Sequence, residues 1–356
     1  MATTAGETNQ TDQSTILSYR ALALQVTCDA INQINDHAEV RERMMATIER
    51  VSQQIRASIN FIGKDTKLVV LPEYFLTGFP MGESIEEWKN KACIEMDGPE
   101  YAALGKVAQQ HDIFLSGNAY EIDPHFPEIY FQTSFLIDPS GEVVLRYRRL
   151  NSMFAPTPHD VWDKYLEIYG IDGVFPVAKT AIGNIGVIAS EEILYPEVAR
   201  SMALKGAEIL LHSSSEVGSP QLTQKHIGRL ARSIENMAYV VSANSAGMAN
   251  IPIPMASTDG SSAIIDYRGL ILAEAGTGES MVANAEIDLA ALRRARQRPG
   301  MGNILSRQRL ELYAPIYNDI SVYPANSLLE KKAERSHFVQ TQIEVIENLT
   351  KRSVIK

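Results

Sequence analysis

Cysteine is scarce in this chain. Cys28 and Cys93 are the only two among 356 residues, which is too few for a disulfide framework or a metal-ligand cluster. Histidine is nearly as sparse. His159 beside Asp160 is a candidate metal pair, but no second histidine stands at ligand spacing, so no metal or other cofactor is expected. Like charges never gather into a block of about five or six, and the net charge is −10. Nucleic acid and anionic membrane surfaces are therefore disfavoured as partners. No apolar run reaches the roughly 18 residues of a membrane span. Met1 to Thr15 is polar and lacks the apolar core of a secretory signal. These features predict a soluble, cytoplasmic protein.

What is present is an ordinary globular mixture, 45% hydrophobic and 21% charged, long enough for a large core. Val40, Met44, Ile48, Val51, Ile55 and Ile59 recur in steps of three and four, which predicts an amphipathic helix from about Ala38. Short apolar runs at 19–26, 67–72, 113–117, 208–212 and 239–244 read as strands. Residues 131–137 and 143–147 pair across the turn residues 138–142. A second hairpin is expected at 262–274, with a last strand at 281–287. Residues 150–175 read as a long irregular stretch, and loops of that length in a compact domain are usually functional. Strands alternating with helices predict an α/β fold with a mixed sheet. The expected plan is a disordered lead (1–17), one domain (18–290) and a C-terminal extension (291–356).

The segment the plan turns on is 182–200. It reads as a strand, an elbow at Ser190, and a helix beginning near Pro196. A nucleophile on such an elbow projects from a sheet end beside the amides of the next turn, which can stabilise an oxyanion. A serine here has no histidine next to it. The stretch His212 to Ser215, including Ser214, ends a strand at the same sheet edge. It either lines a pocket or is solvated.

Four segments then match one pattern: LPEYFLTG at 71–78, YRRL at 147–150, GVIASEEILYPE at 186–197, and RSIEN at 232–236 with VVSAN at 240–244. In this order and spacing the chain resembles the nitrilase, or carbon–nitrogen hydrolase, superfamily over roughly residues 18–290. The resemblance implies a four-layer α-β-β-α sandwich that pairs with a second copy through outer helices, hence a homodimer or larger homo-oligomer. It also implies a site with a glutamate base, a lysine and a cysteine nucleophile. The glutamate position falls on Glu73. The lysine position falls on Arg149 and the cysteine position on Ser190, so two of the three side chains differ. Glu191 takes a place that is commonly aromatic, Glu192 matches an acidic one, and Asp160 or His159 stands nearest to a further acidic position.

These departures carry chemical consequences. A serine hydroxyl is far less acidic than a thiol and needs a well-placed base. Arginine beside Glu73 lowers a carboxylate's proton affinity and favours planar, bidentate pairing. The expectation is a locked Glu73–Arg149 pair with Ser190 unactivated. Two functions remain open at this point. One is a hydrolase with a variant Glu73–Arg149–Ser190 site, with Glu191, Glu192, Asp160, His159 and Ser214 contacting a small amide, nitrile or amine-like compound. The other is an inactive homologue that binds a small ligand or serves as an oligomeric scaffold.

Overall fold

The computed structural model describes residues 15–219 and 221–356. Most of the expected lead, residues 1–14, lies outside them. Two sheets stack face to face. The first runs Asn284–Asp288, Ser18–Ala23, Thr66–Val70, Phe114–Ile122, Phe131–Ile137 and Val143–Arg148 in spatial order, with short Ile94–Glu95 added to Phe114–Ile122. The second runs Ile271–Glu274, Ala263–Ile265, Tyr239–Ala243, Ile209–Ser213, Gly183–Ala189 and Ala178–Thr180. The centre of each sheet is parallel, Ser18–Ala23 with Thr66–Val70 and Phe114–Ile122 in one, Gly183–Ala189 with Ile209–Ser213 and Tyr239–Ala243 in the other.

Strand alternation builds the layers, because neighbouring side chains leave a strand on opposite faces. Leu68 and Val70 point to the second sheet and pack with Ile185, Val187 and Val241. Val69 and Leu71 point outward and pack under Val40, Met44, Ile48, Val51 and Ile55 of helix His37–Ile62, and under Leu104 and Ala108 of helix Pro99–His111. Helices Pro196–Leu204 and Gln224–Asn236 cover the other side. The result is the α-β-β-α sandwich. The hairpin at 131–148 pairs Ile137 with Val143, across the 138–142 turn.

Two stretches differ from expectation. Residues 150–175 are not irregular throughout. Pro158–Val161 forms a 3₁₀ turn and Trp162–Tyr169 a helix. Trp162, Tyr165, Leu166 and Tyr169 share a helix face, and Tyr165 is buried against Phe126 and Phe131. Helix Ile85–Ala92 was not anticipated, although Ser84 and Glu87 form a reciprocal capping box at its start.

The C-terminal residues fold back onto the domain. Asn326 N–H donates to the His159 carbonyl and Leu328 N–H to that of Asp160, while Phe338 is buried as part of the hydrophobic core on the outer face of the first sheet. No helix among the described residues is long and apolar enough to cross a membrane.

Candidate active site

The polar cluster forms at the carboxyl ends of strands from both sheets. Glu73 follows Thr66–Val70, Arg149 follows Val143–Arg148, Ser190 follows Gly183–Ala189, and Ser214 follows Ile209–Ser213. Ligand sites in α/β folds commonly occupy this carboxyl end.

Glu73 is wholly buried. Its Oε1 accepts from Gln132 Nε2 at 2.6 Å and its Oε2 from the Ser215 amide at 3.1 Å. Its own amide donates to the Ser214 carbonyl at 3.2 Å, which ties the two sheets together at this edge. Both carboxylate oxygens are thus held by donors.

Arg149 does not form the expected bidentate pair with Glu73. The two approach only to 3.8 Å. The Gln132 carboxamide lies between them, donating to Glu73 and accepting from Arg149 Nη1 at 2.9 Å. The guanidinium instead pairs through Nη2 with Glu191, and its Nε donates to the Asn151 carbonyl at 2.7 Å. A planar fork has few directions in which to donate, and here they are spent on Gln132, Glu191 and backbone.

Ser190 has φ of 49°, in the left-handed region that a residue bearing a Cβ rarely adopts. The elbow is pinned from below. His212, fully buried, donates from Nε2 to the Ser190 carbonyl at 2.7 Å, and its Nδ1 accepts from Ser242 Oγ at 2.7 Å. Because a carbonyl can only accept, Nε2 carries the proton. Burial pushes the imidazole well below its ordinary pKa, with Arg229 and Lys225 adding to the effect and the bond to Ser190 opposing it.

The side chain nearest to the Ser190 hydroxyl in these contacts is Lys225, whose Nζ lies 3.0 Å from Oγ and 3.5 Å from Ser214 Oγ. Lys225 sits in the first turn of helix Gln224–Asn236, which Thr223 caps by accepting from the His226 amide. That helix is docked on the elbow turn. Arg232 Nε donates to the Ile193 carbonyl at 2.9 Å, and a Cβ on Gly228 would stand 3.0 Å from the same oxygen.

The remaining expected residues divide. Ser214 is buried within the cluster, so the His212–Ser215 stretch is not a solvated strand end. Glu191, about one-third exposed, spends its charge on Arg149 and adds no net negative charge to the pocket. Glu192 has no oxygen free for a ligand. Its Oε2 accepts from Tyr147 OH, and its Oε1 from the Leu150 amide, the Asn151 amide and Asn151 Nδ2. Asp160 is likewise engaged elsewhere, accepting from the Thr157 amide and hydroxyl and from Ser327 Oγ. His159 packs its ring against Trp162 and Tyr323. Glu192 and Asp160 therefore act as braces, for the arginine segment and for the C-terminal residues respectively. Both cysteines are buried, and burial raises both thiols, as packing residues require. Among the described residues no group of three or more His, Cys, Asp or Glu is arranged to hold a metal ion.

Sequence reasoning missed Lys225, Gln132 and the role of His212. Gln132 carried a signal, as a carboxamide inside an otherwise apolar strand. Lys225 carried a fainter one, since a lysine in a helix's first turn opposes the helix dipole. Nothing local tied it to Ser190, 35 residues away.

Comparison with known proteins bears on the family and the fold. The carbon–nitrogen hydrolase family model matches residues 28–297. The formamidase of Pseudomonas syringae pv. tomato is 26% identical over 304 residues, covering 85% of this chain and 80% of its own length. The 2-oxoglutaramate amidase of Bacillus subtilis is 29% identical over 242 residues, covering 67% and 85%. The crystal structure of a carbon–nitrogen hydrolase from Helicobacter pylori G27 superposes with a TM-score of 0.61 at 21% identity, over 84% of this chain and 98% of that one.

Proposed function

Since this chain belongs to the carbon–nitrogen hydrolase family, we propose that it cleaves a small amide, or a related nitrile or amine-like compound, at a variant site made of Glu73, Arg149 and Ser190. Ser190 stands in the nucleophile's place. Glu73 and Gln132 fix the position of Arg149, which, neutralised by Glu191, closes one wall. The formamidase and 2-oxoglutaramate amidase relatives support a small amide as the substrate class.

The observation that carries this reading is the elbow itself. A serine held at φ 49° on a strand-to-turn junction, with its carbonyl anchored by His212, is a costly conformation kept in place by its surroundings. Such positions cost on the order of 1–3 kcal/mol and concentrate at functional sites. The test is turnover of a panel that includes formamide and short ω-amides. Ser190→Ala should abolish it, and Glu73→Gln should lower it by weakening the hold on Gln132 and on the Ser215 amide. Turnover surviving in Ser190→Ala refutes the reading.

A second reading has one specific observation in its favour. Arg149 is already saturated by Glu191, Gln132 and Asn151, as it would be in a pocket that binds without reacting. In that case a ligand raises the melting temperature, no product forms, and Ser190→Ala leaves affinity within about tenfold, or 1.4 kcal/mol. A cytoplasmic location and assembly as a homodimer belong to the same proposal.

A further inference from the structure

We propose that Lys225 is the group that takes the Ser190 proton, so that the site works as a serine–lysine dyad. The inference rests on the reading of Ser190 as nucleophile and adds its missing base.

The geometry singles out this lysine. Its Nζ is 3.0 Å from Ser190 Oγ, inside the reach of a direct proton transfer. Glu73 is the alternative base, but both its oxygens are already held, by Gln132 and by the Ser215 amide. Arg149 stays protonated at any working pH and cannot accept a proton. His212 presents its N–H to the Ser190 carbonyl, not to the hydroxyl, and its other nitrogen is taken by Ser242. Lys225 alone among these groups contacts the reacting oxygen.

The surroundings also favour an amine that is neutral part of the time. The helix N-terminus lies under Lys225, and its dipole disfavours a cation there. Burial lowers the lysine's pKa, and Arg149 and Arg229 lower it further, while Glu73 and Glu216 oppose them. The neighbouring imidazole of His212 is kept neutral and offers no compensating charge. Ser214 Oγ, 3.5 Å from Nζ, gives the amine a second contact that holds it in the pocket.

The chemistry balances with water as the only co-reactant. The Ser190 Oγ–H proton passes to the Lys225 amine as Oγ bonds to the carbonyl carbon, and the C=O π pair moves to oxygen. When that pair returns, the C–N bond breaks and the leaving nitrogen takes the proton from the Lys225 ammonium. Ammonia or an amine departs and Ser190 is left as an ester. Water then attacks the ester carbon and gives a proton to Lys225. The Oγ–C bond breaks, and Ser190 recovers its proton from the ammonium as the carboxylic acid leaves.

A fluorophosphonate probe tests the dyad without knowledge of the substrate, because it bonds phosphorus to an activated serine and expels fluoride. The full chain is labelled between about pH 6 and pH 10 and the labelled peptide is mapped. In the wild type, labelling at Ser190 should rise with pH and level off below roughly pH 10.4, the ordinary lysine value. Lys225→Met should slow labelling by about 10²–10⁴-fold and remove that pH step. Lys225→Arg should be equally slow, and added methylamine should partly restore Lys225→Ala. Should the variants fold poorly by circular dichroism, the wild-type pH step still decides, and a flat profile overturns the dyad. Wild-type rates in Lys225→Arg would make the residue a fixed charge and not a base. Unchanged rate and pH step in Lys225→Met overturn the dyad while leaving Ser190 as nucleophile. Failure of wild-type Ser190 to label at any pH overturns the nucleophile reading itself, and the dyad with it.

Discussion

Replacement of Glu192 offers a sharp test of how the site is held. Its carboxylate lies fully buried between the elbow turn and the segment that carries Arg149. It accepts from Tyr147 OH at 2.7 Å, from the Leu150 and Asn151 amides at 2.9 and 2.8 Å, and from Asn151 Nδ2 at 3.0 Å. Burial raises its pKa, and Arg149 together with those bonds pulls the other way. In Glu192→Ala the buried donors lose their acceptor at once. An orphaned buried donor costs about 1–3 kcal/mol. Water entering the space left by the side chain recovers part of this, so a net loss of about 3–5 kcal/mol is expected, comparable to breaking a buried charged pair. Against a typical total of about 5–15 kcal/mol, that is a large share. Glu192→Gln keeps one oxygen for the two amides, and its new N–H can donate to a rotated Tyr147 hydroxyl. It should therefore lose only about 1 kcal/mol. Urea unfolding of the three proteins, with slopes compared to exclude a change in the unfolded state, gives the values directly. A Glu192→Ala protein within about 0.5 kcal/mol of wild type, which is the scatter of an ordinary surface change, would show that the brace is not one.

The buried His212 sets an acid limit on stability. Its folded pKa lies well below its unfolded value of about 6.5, so its contribution is complete above that pH and is lost as pH falls below it, at up to about 1.4 kcal/mol per pH unit. His212→Gln should flatten this part of the pH–stability curve between about pH 7 and pH 5; an identical slope in both proteins would rule the histidine out. For assembly, light scattering should report a homodimer, and charged substitutions at exposed Leu204, Ile227 or Ile234 on the outer helices should weaken it. A wild-type monomer mass would refute the pairing. Ala199, Met202 and Ala203 of helix Pro196–Leu204 are buried within the chain, where Met202 lies against Gly186, and are not available to a partner.

The layers of this protein were legible because each depends on a short-range pattern. The unbroken apolar run at 68–71 marks a strand covered on both faces, and steps of three and four in 37–62 specify which face of the helix turns inward. The hairpin at 131–148 was readable for the same reason, since its turn residues are contiguous. The helix at 162–169 was not, because Pro156, Pro158 and Gly170 crowd around only two turns of helical pattern.

The site divides along the same line. Glu73, Arg149 and Ser190 each follow the end of a strand within a recognisable segment, so the sequence alone determined which strand ends carry them. Which groups they touch was decided only by the fold. Gln132 separates Glu73 from Arg149 because a neighbouring strand brings it there. Glu191 captures Arg149 because the elbow turn swings it across the gap between sheets. Lys225 reaches Ser190 because Gly228 lets a helix from a later segment settle on that turn. A side-chain contact of about 3 Å depends on the relative placement of whole elements, which burial summed over many residues sets and no local run of sequence encodes.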